Sequence, residues 1–258
     1  MAKRQTLFEV YAKNLDLSKL FDRLGASEPE LLAREVEHFT VKEARRRDEL
    51  LIHYFGKEGL NRIVNGIVQF LFSSPELPTD AKVLDVGAGT GFFTIKVAEK
   101  VRIRLPKTSF YAMDMTPAML LSLVKKDADV QPFVGLAENL EGSTKEARKY
   151  FDIPDKFDAV FSTLMLHHGV KPEKVFKSIK KVLKENGKAI IVDLCEHGFE
   201  EFKTEMGDVH LGFRLEEIAK MAGKAFAEVR VEKMRGICCE CSGRAAEIFF
   251  AYLYGILG

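Results

Sequence analysis

Residues 82–93 read Lys-Val-Leu-Asp-Val-Gly-Ala-Gly-Thr-Gly-Phe-Phe. Val83, Leu84 and Val86 are apolar and β-prone, as in a strand covered on both faces. Gly87, Gly89 and Gly91 then remove Cβ atoms where the backbone must bend and where a ligand can come close. A helix follows, so this is a strand, a tight turn and a helix in succession. The N–H groups of the turn and of the first helical turn are expected to face an anionic or polar ligand. A dinucleotide fingerprint is G-x-G-x-x-G, whereas here the order is G-A-G-T-G and Phe92 stands where the last glycine would be. By itself the triplet leaves a nicotinamide cofactor, another nucleoside or a structural turn open.

The chain around it is of ordinary globular composition. Its 258 residues allow one large α/β domain or a domain with an appendage, and 47% hydrophobic residues suffice for a substantial core. Lys+Arg 39 against Asp+Glu 38 argues against a dedicated nucleic-acid surface. Arg45-Arg46-Arg47 is followed directly by Asp48-Glu49 and reads as a solvated helix face. Met1–Lys13 lacks the apolar core of a signal peptide, and the most apolar stretches, 63–72 and 248–257, are too short to span a bilayer. Four cysteines do not make a disulfide framework, so a cytoplasmic location is expected.

Residues 1–78 read as a helical N-terminal extension, with Leu17, Leu20, Phe21 and Leu24 on one face and Ile63, Ile67 and Leu71 on another. Pro75 and Pro78 end it. The extension either packs on the sheet or forms a lid over a cofactor pocket. From Asp80 strands and helices alternate, implying right-handed crossovers and a parallel sheet. Strands are expected at 110–113, 130–134, 157–162 and 189–193, with a helix capped by Thr116-Pro117 and another over 172–184 that Gly187 follows. Alternating Val229 and Val231, a Cys- and Gly-containing turn, and 248–254 read as a closing antiparallel hairpin.

In open α/β sheets ligands sit beyond the carboxyl ends of the strands. Asp114, 23 residues past Gly91, ends the second strand, where a carboxylate can accept from both ribose hydroxyls or cap a helix. His167 and His168 follow the fourth strand and are candidate general bases. Asp193, His197 and His210 follow the fifth, and with either histidine could form a base–orienter pair or a metal site. Cys238, Cys239 and Cys241 are weak candidates for a soft ion or a metalloid, the blander reading being small apolar residues near a hairpin tip. In a strand, Cys239 and Cys241 would share one face and Cys238 the other.

With Asp85 before the glycines and Asp114 after them, the stretch resembles motif I of the class I S-adenosylmethionine (SAM) dependent methyltransferases. FDAVFSTLMLHH and GKAIIVDL are similar to the ubiquinone/menaquinone-biosynthesis branch, and 193–213 to the tail of methyltransferases often fused to arsenic-repressor-like DNA-binding domains. The resemblance implies a Rossmann-like α/β fold, with a seven-stranded, mostly parallel sheet and a C-terminal antiparallel hairpin, so that the helical extension or lid at 1–78 precedes a SAM-binding domain at 79–258. It implies SAM as cofactor, with Asp85 toward the ammonium, Gly87, Ala88, Gly89 and Thr90 beneath the cofactor, Asp114 on the ribose and Met115 on the adenine. Ser162 and Leu164 would line the methionyl end. The family usually places an aspartate for the adenine amine where this chain has Leu136, which leaves that contact to Ala137, with Glu138 or Asn139. The expected activity is methyl transfer to a small-molecule acceptor, with no nucleic-acid or membrane partner and a possible homodimer. The alternatives are a thiol or arsenite-like acceptor, or a SAM-binding partner subunit without catalysis.

Overall fold

The computed structural model describes residues 2–38 and 41–256. Four helices come first: α1 (Ala2–Asn14), α2 (Leu17–Leu24), α3 (Pro29–His38) and α4 (Val41–Leu71). Helix α2 starts on an Asp16 side chain that accepts from Lys19 N and stops at Gly25 in the left-handed region. Helix α4 is two arms, because Gly56 takes φ 63° and ψ 162°, outside helical space. The second arm buries Leu60, Ile63, Val64, Ile67 and Phe70 against the sheet. Each such side chain contributes about 1.5–3 kcal/mol relative to exposure. The approach is close enough that a Cβ on Gly66 would run into the Phe250 ring.

The α/β part runs β1 (Lys82–Val86), α5 (Phe92–Arg104), β2 (Ser109–Asp114), α6 (Pro117–Lys125), β3 (Val130–Val134), α7 (Leu140–Ala147), β4 (Phe157–Thr163) and α8 (Pro172–Val182). It ends with β5 (Leu183–Leu194), α9 (Glu201–Glu205), α10 (Leu215–Ala222), β6 (Phe226–Cys241) and β7 (Arg244–Ile256). Sheet order is β3-β2-β1-β4-β5-β7-β6, parallel from β3 to β5, with β7 antiparallel to both neighbours. The strand order reverses between β1 and β4, the place where open sheets hold ligands. The seven-stranded, mostly parallel sheet with its closing hairpin and helical N-terminal region is the architecture expected from the sequence.

Local details differ. Helix α8 stops at Val182 and Gly187 lies inside β5, because β5 starts early, pairing Leu183 with Phe157 before a register shift. Thr116 precedes α6 but its side chain makes no capping bond; Pro117 does open the helix. The hairpin turns at Ser242-Gly243, both at positive φ, so the cysteines end a strand rather than form the turn. Among the described residues no helix is long and apolar enough to cross a membrane.

Candidate active site

The turn after β1 carries Gly87, Gly89 and Gly91 at φ 76°, 55° and 75°, a region L side chains rarely enter. A Cβ on Gly87 would strike Met165, whereas one on Gly89 would enter open space. The turn's N–H groups are not held out to a ligand as expected. Gly87 N and Ala88 N both donate to Met113 O (2.8 and 2.9 Å), and Gly91 N donates to Ala88 O. Gly89 N donates to Asp114 Oδ2 at 2.8 Å. The loop is thereby pinned to β2, with few donors left for a pyrophosphate.

Two clefts flank this loop. One, of about 90 Å³, is lined by Gly89, Asp114, Met115, Leu164, Met165 and His168, among others. The second, of about 50 Å³, has Asp85, Ala88, Thr90 and Leu164 on its wall. Leu164 holds φ 56°, a left-handed conformation costly for a branched side chain, fixed by Leu164 N donating to Val192 O. Arg47, from the first arm of α4, lines both clefts. The solvated-face reading therefore holds for the exposed Arg45 and Arg46 but not for the half-buried Arg47. Beside it, Asp48 accepts from Thr90 Oγ1 (2.5 Å) and Lys126 Nζ (2.6 Å), latching this arm to the glycine turn.

Asp85 is 1% exposed; its Oδ2 accepts from Thr94 Oγ1 at 2.6 Å, and its Oδ1 has no hydrogen-bond partner. Burial pushes its carboxyl up to about 8, against the pull of the Thr94 bond and with help from Asp114. A buried, half-satisfied acceptor facing a small cleft is suited to a cationic group. Asp114 is also raised by burial, although its oxygens accept from Gly89 N and Thr116 N. Each of those oxygens keeps a second lone pair.

Other expected site residues are placed differently. Ser162 is fully buried and donates its hydroxyl to Val86 O at 2.7 Å, tying β4 to β1, and it is on neither cleft wall. Ala137 and Glu138 lie in a 3-10 turn after β3. Glu138 and Leu136 face a separate cavity of about 280 Å³, shared with the Leu24–Glu28 connection and α8. Asn139 is occupied at both ends, accepting from Gly142 N and donating to Leu24 O.

Behind the first cleft the two histidines divide. His168 is on the cleft wall, with Nδ1 3.3 Å from Gly207 O. His167 is 1% exposed, and its Nδ1 donates to Asp193 Oδ1 at 2.7 Å. Asp193 also accepts from Leu166 N and Leu194 N, so its carboxylate is held in place against the His167 ring. Burial alone would lower His167, but the Asp193 carboxylate and the nearby Asp208 raise it. His210 instead contacts Gly169 O, and His197 stacks on Phe199. Asp208, which sequence reading did not single out, is 5% exposed with neither oxygen hydrogen-bonded, and burial pushes it up to about 6.

The cysteines do not assemble. Cys239 and Cys241 face the core and Cys238 the other side of β6, as strand alternation requires. Cys241 Sγ donates to Glu205 Oε2, and burial raises all three thiols, Cys241 to about 11. Among the described residues, the one group of three or more candidate ligands gathered closely is His167, His168 and Asp208.

A family model described as a methyltransferase domain matches residues 78–234, more than half of the chain. The chain belongs to the methyltransferase-domain family. That domain is of the class I SAM-dependent methyltransferase type, and SAM is its cofactor. The methyltransferase is 28% identical over 138 residues to the ubiquinone/menaquinone biosynthesis C-methyltransferase of Rickettsia peacockii, 54% of this chain and 52% of that protein. It is 27% identical over 176 residues to human EEF1A lysine methyltransferase 2, covering 64% and 65%. It thus spans about half to two thirds of the length of these relatives. Among solved structures, its fold is similar to Haemonchus contortus phosphoethanolamine N-methyltransferase 2 in complex with SAM. That match has a TM-score of 0.61 at 17% identity and covers 93% of this chain and 60% of the other. The residues fit such a cofactor: the buried Asp85 oxygen without a hydrogen-bond partner is an acceptor for an ammonium, and a Cβ on Gly89 would meet nothing within 4 Å, so the loop is open on that side.

Proposed function

We propose that this enzyme methylates a small-molecule acceptor that reaches the clefts beneath the first arm of α4. The observation that carries the reading is the latch of Asp48 on Thr90 and Lys126, which sets Arg47 over both clefts. An acceptor that fits under a latched helix is compact. In this reading residues 1–78 supply the lid, and residues 79–258 the cofactor and acceptor site.

SAM brings a methyl group on a sulfonium, already electrophilic, so the chain's task is to bind, orient and keep water out. Asp85 holds the ammonium with its unpartnered oxygen. Asp114 accepts from the ribose hydroxyls through its remaining lone pairs, and Met115 packs on the adenine. Arg47 offers a cation to the methionyl carboxylate or to an anionic group of the acceptor. Leu164, held at its unusual φ, shapes the methyl end. His168, on the wall of the first cleft, takes a proton from the acceptor; His167, held by Asp193, backs it at a ring-centroid distance of 4.2 Å.

The test is release of S-adenosylhomocysteine (SAH) from SAM with a panel of small amines, phenols, carboxylates, thiols and arsenite, alongside intact protein substrates. Turnover with a small acceptor that falls at least about tenfold in His168→Ala supports the proposal. Turnover on protein lysines alone would overturn it, and tight SAH binding without turnover on any acceptor would favour a partner subunit.

A further inference from the structure

His167, His168 and Asp208 meet behind the first cleft, each offering one ligand atom within 4.8 Å of the others. His167, 1% exposed, has no hydrogen-bond partner at Nε2. Asp208, 5% exposed, has none at either oxygen. They face each other with Nε2 3.5 Å from Oδ1. A proton shared by an imidazole and a carboxylate draws the heavy atoms to about 2.7–2.9 Å, and the other nitrogen of this ring does so, at 2.7 Å from Asp193. At 3.5 Å the Nε2–Asp208 pair is too long for that bond, yet both partners are sealed from solvent. Leaving buried polar atoms unmatched costs about 1–3 kcal/mol each.

The separation does fit two ligands of one metal ion. Nitrogen and oxygen bound at about 2.0–2.2 Å to a tetrahedral cation stand roughly 3.3–3.6 Å apart. A third candidate ligand is in reach, since one ligand atom each from His167, His168 and Asp208 lies within 4.8 Å of the others. The surroundings have the form that supports metal-bound imidazoles: Nδ1–H of His167 donates to Asp193, which directs the Nε2 lone pair at Asp208. Gly207 O stands 3.3 Å from Nδ1 of His168.

We infer that His167, His168 and Asp208 form a mononuclear site for a borderline divalent cation of the zinc class, with Asp193 as its positioning carboxylate. Two imidazoles and one carboxylate are a ligand set that leaves a fourth position for water or substrate. His168 brings the site to the wall of the first cleft. Resting on the proposed function, but with His168 a ligand instead of the base when the cation is bound, the cation would receive the acceptor's oxygen, nitrogen or sulfur and make it easier to deprotonate, the proton leaving to solvent water. The cysteines take no part.

The full chain, stripped with a chelator and titrated with ZnCl2 by calorimetry, should bind one equivalent. Co2+ in its place should give the visible absorption of a tetrahedral centre. Asp208→Asn and His167→Ala should each weaken binding by at least tenfold, and Asp193→Asn by about 10–100-fold, while Cys239→Ser leaves it unchanged. SAH affinity, measured in the same variants, reports folding and tests the methyltransferase reading separately. Absence of saturable one-to-one binding, unchanged binding in Asp208→Asn, or loss in Cys239→Ser would each overturn the site. Zinc binding with turnover indifferent to chelation would overturn its role toward the acceptor.

Discussion

Replacing Asp85 by Asn should make the ligand-free protein more stable and the cofactor complex weaker, with opposite pH signatures. The carboxyl is fully buried, with an ordinary value of 3.8 raised to about 8. Between those values the folded state holds a proton that the unfolded chain has lost, so stability falls as pH rises from 3.8 to 8 and then levels. At pH 7 that is some three pH units at about 1.4 kcal/mol each, an upper limit of roughly 4 kcal/mol. Asn imitates the protonated form. Denaturant melts of the ligand-free protein should therefore show Asp85→Asn more stable than wild type at pH 7 and nearly equal to it at pH 4.

Ligand binding should run the other way. An ammonium needs the carboxylate, so below pH 8 the Asp85 proton must leave when SAH binds. Calorimetry should give a wild-type Kd that rises roughly tenfold per pH unit from pH 8 down to pH 6, with close to one proton released. Asp85→Asn should bind more weakly at pH 8 and show no acid limb. A wild-type Kd that is flat from pH 6 to 8, or an acid limb that survives in the variant, would refute the assignment of Asp85 to the ammonium.

Asp114→Ala removes the acceptor for Gly89 N and Thr116 N, so SAH affinity should drop by about 1–3 kcal/mol, as calorimetry would show. Gly66→Val should destabilise the fold by at least about 1–3 kcal/mol in denaturant melts, since its side chain meets the Phe250 ring where α4 crosses the sheet. Asp48→Ala releases the latch on Thr90 and Lys126. Proteolysis within the first arm of α4 should quicken severalfold, and bound SAH should slow it again.

The parallel part of the sheet was legible because β1, β2 and β4 each announce themselves twice, by apolar β-prone residues and by the helix signal that follows. The glycine turn was legible in type but not in wiring. Nothing in G-A-G-T-G says that Met113 O and Asp114 take up its N–H groups, since both partners come from the neighbouring strand. The bond that Ser162 makes was hidden for a similar reason: its hydroxyl serves the joint between β4 and β1, two residues before the Leu164 that lines the cleft. Arg47 carried a usable signal. It lies between buried Ala44, Leu51 and Phe55 at near-helical spacing, so one member of the basic run had to face inward. Asp208 carried little, being an acid between a short helix and a bend, and only the fold brings it to His167 across 41 residues.

Unmatched polar atoms are unevenly spread over this molecule. Lys188, buried under α4, illustrates the ordinary solution: its ammonium donates to Ser73 O and Pro75 O and lies over the Phe70 ring. Asp158 is likewise satisfied by Lys82 N and Lys184. By contrast Asp85 Oδ1, His167 Nε2 and both Asp208 oxygens are left without hydrogen bonds at the carboxyl ends of the central strands or the loops packed on them, while Thr108 Oγ1, just before β2, is a case at the other end. A folding requirement alone would favour apolar residues or satisfied networks at those positions. Their persistence there is what binding groups need, because an acceptor already bonded to protein has little left for a ligand. The same reasoning ties the two proposals to separate chemistry: the Asp85 oxygen awaits a cation carried by the cofactor, whereas the His167–Asp208 pair awaits one supplied from solution.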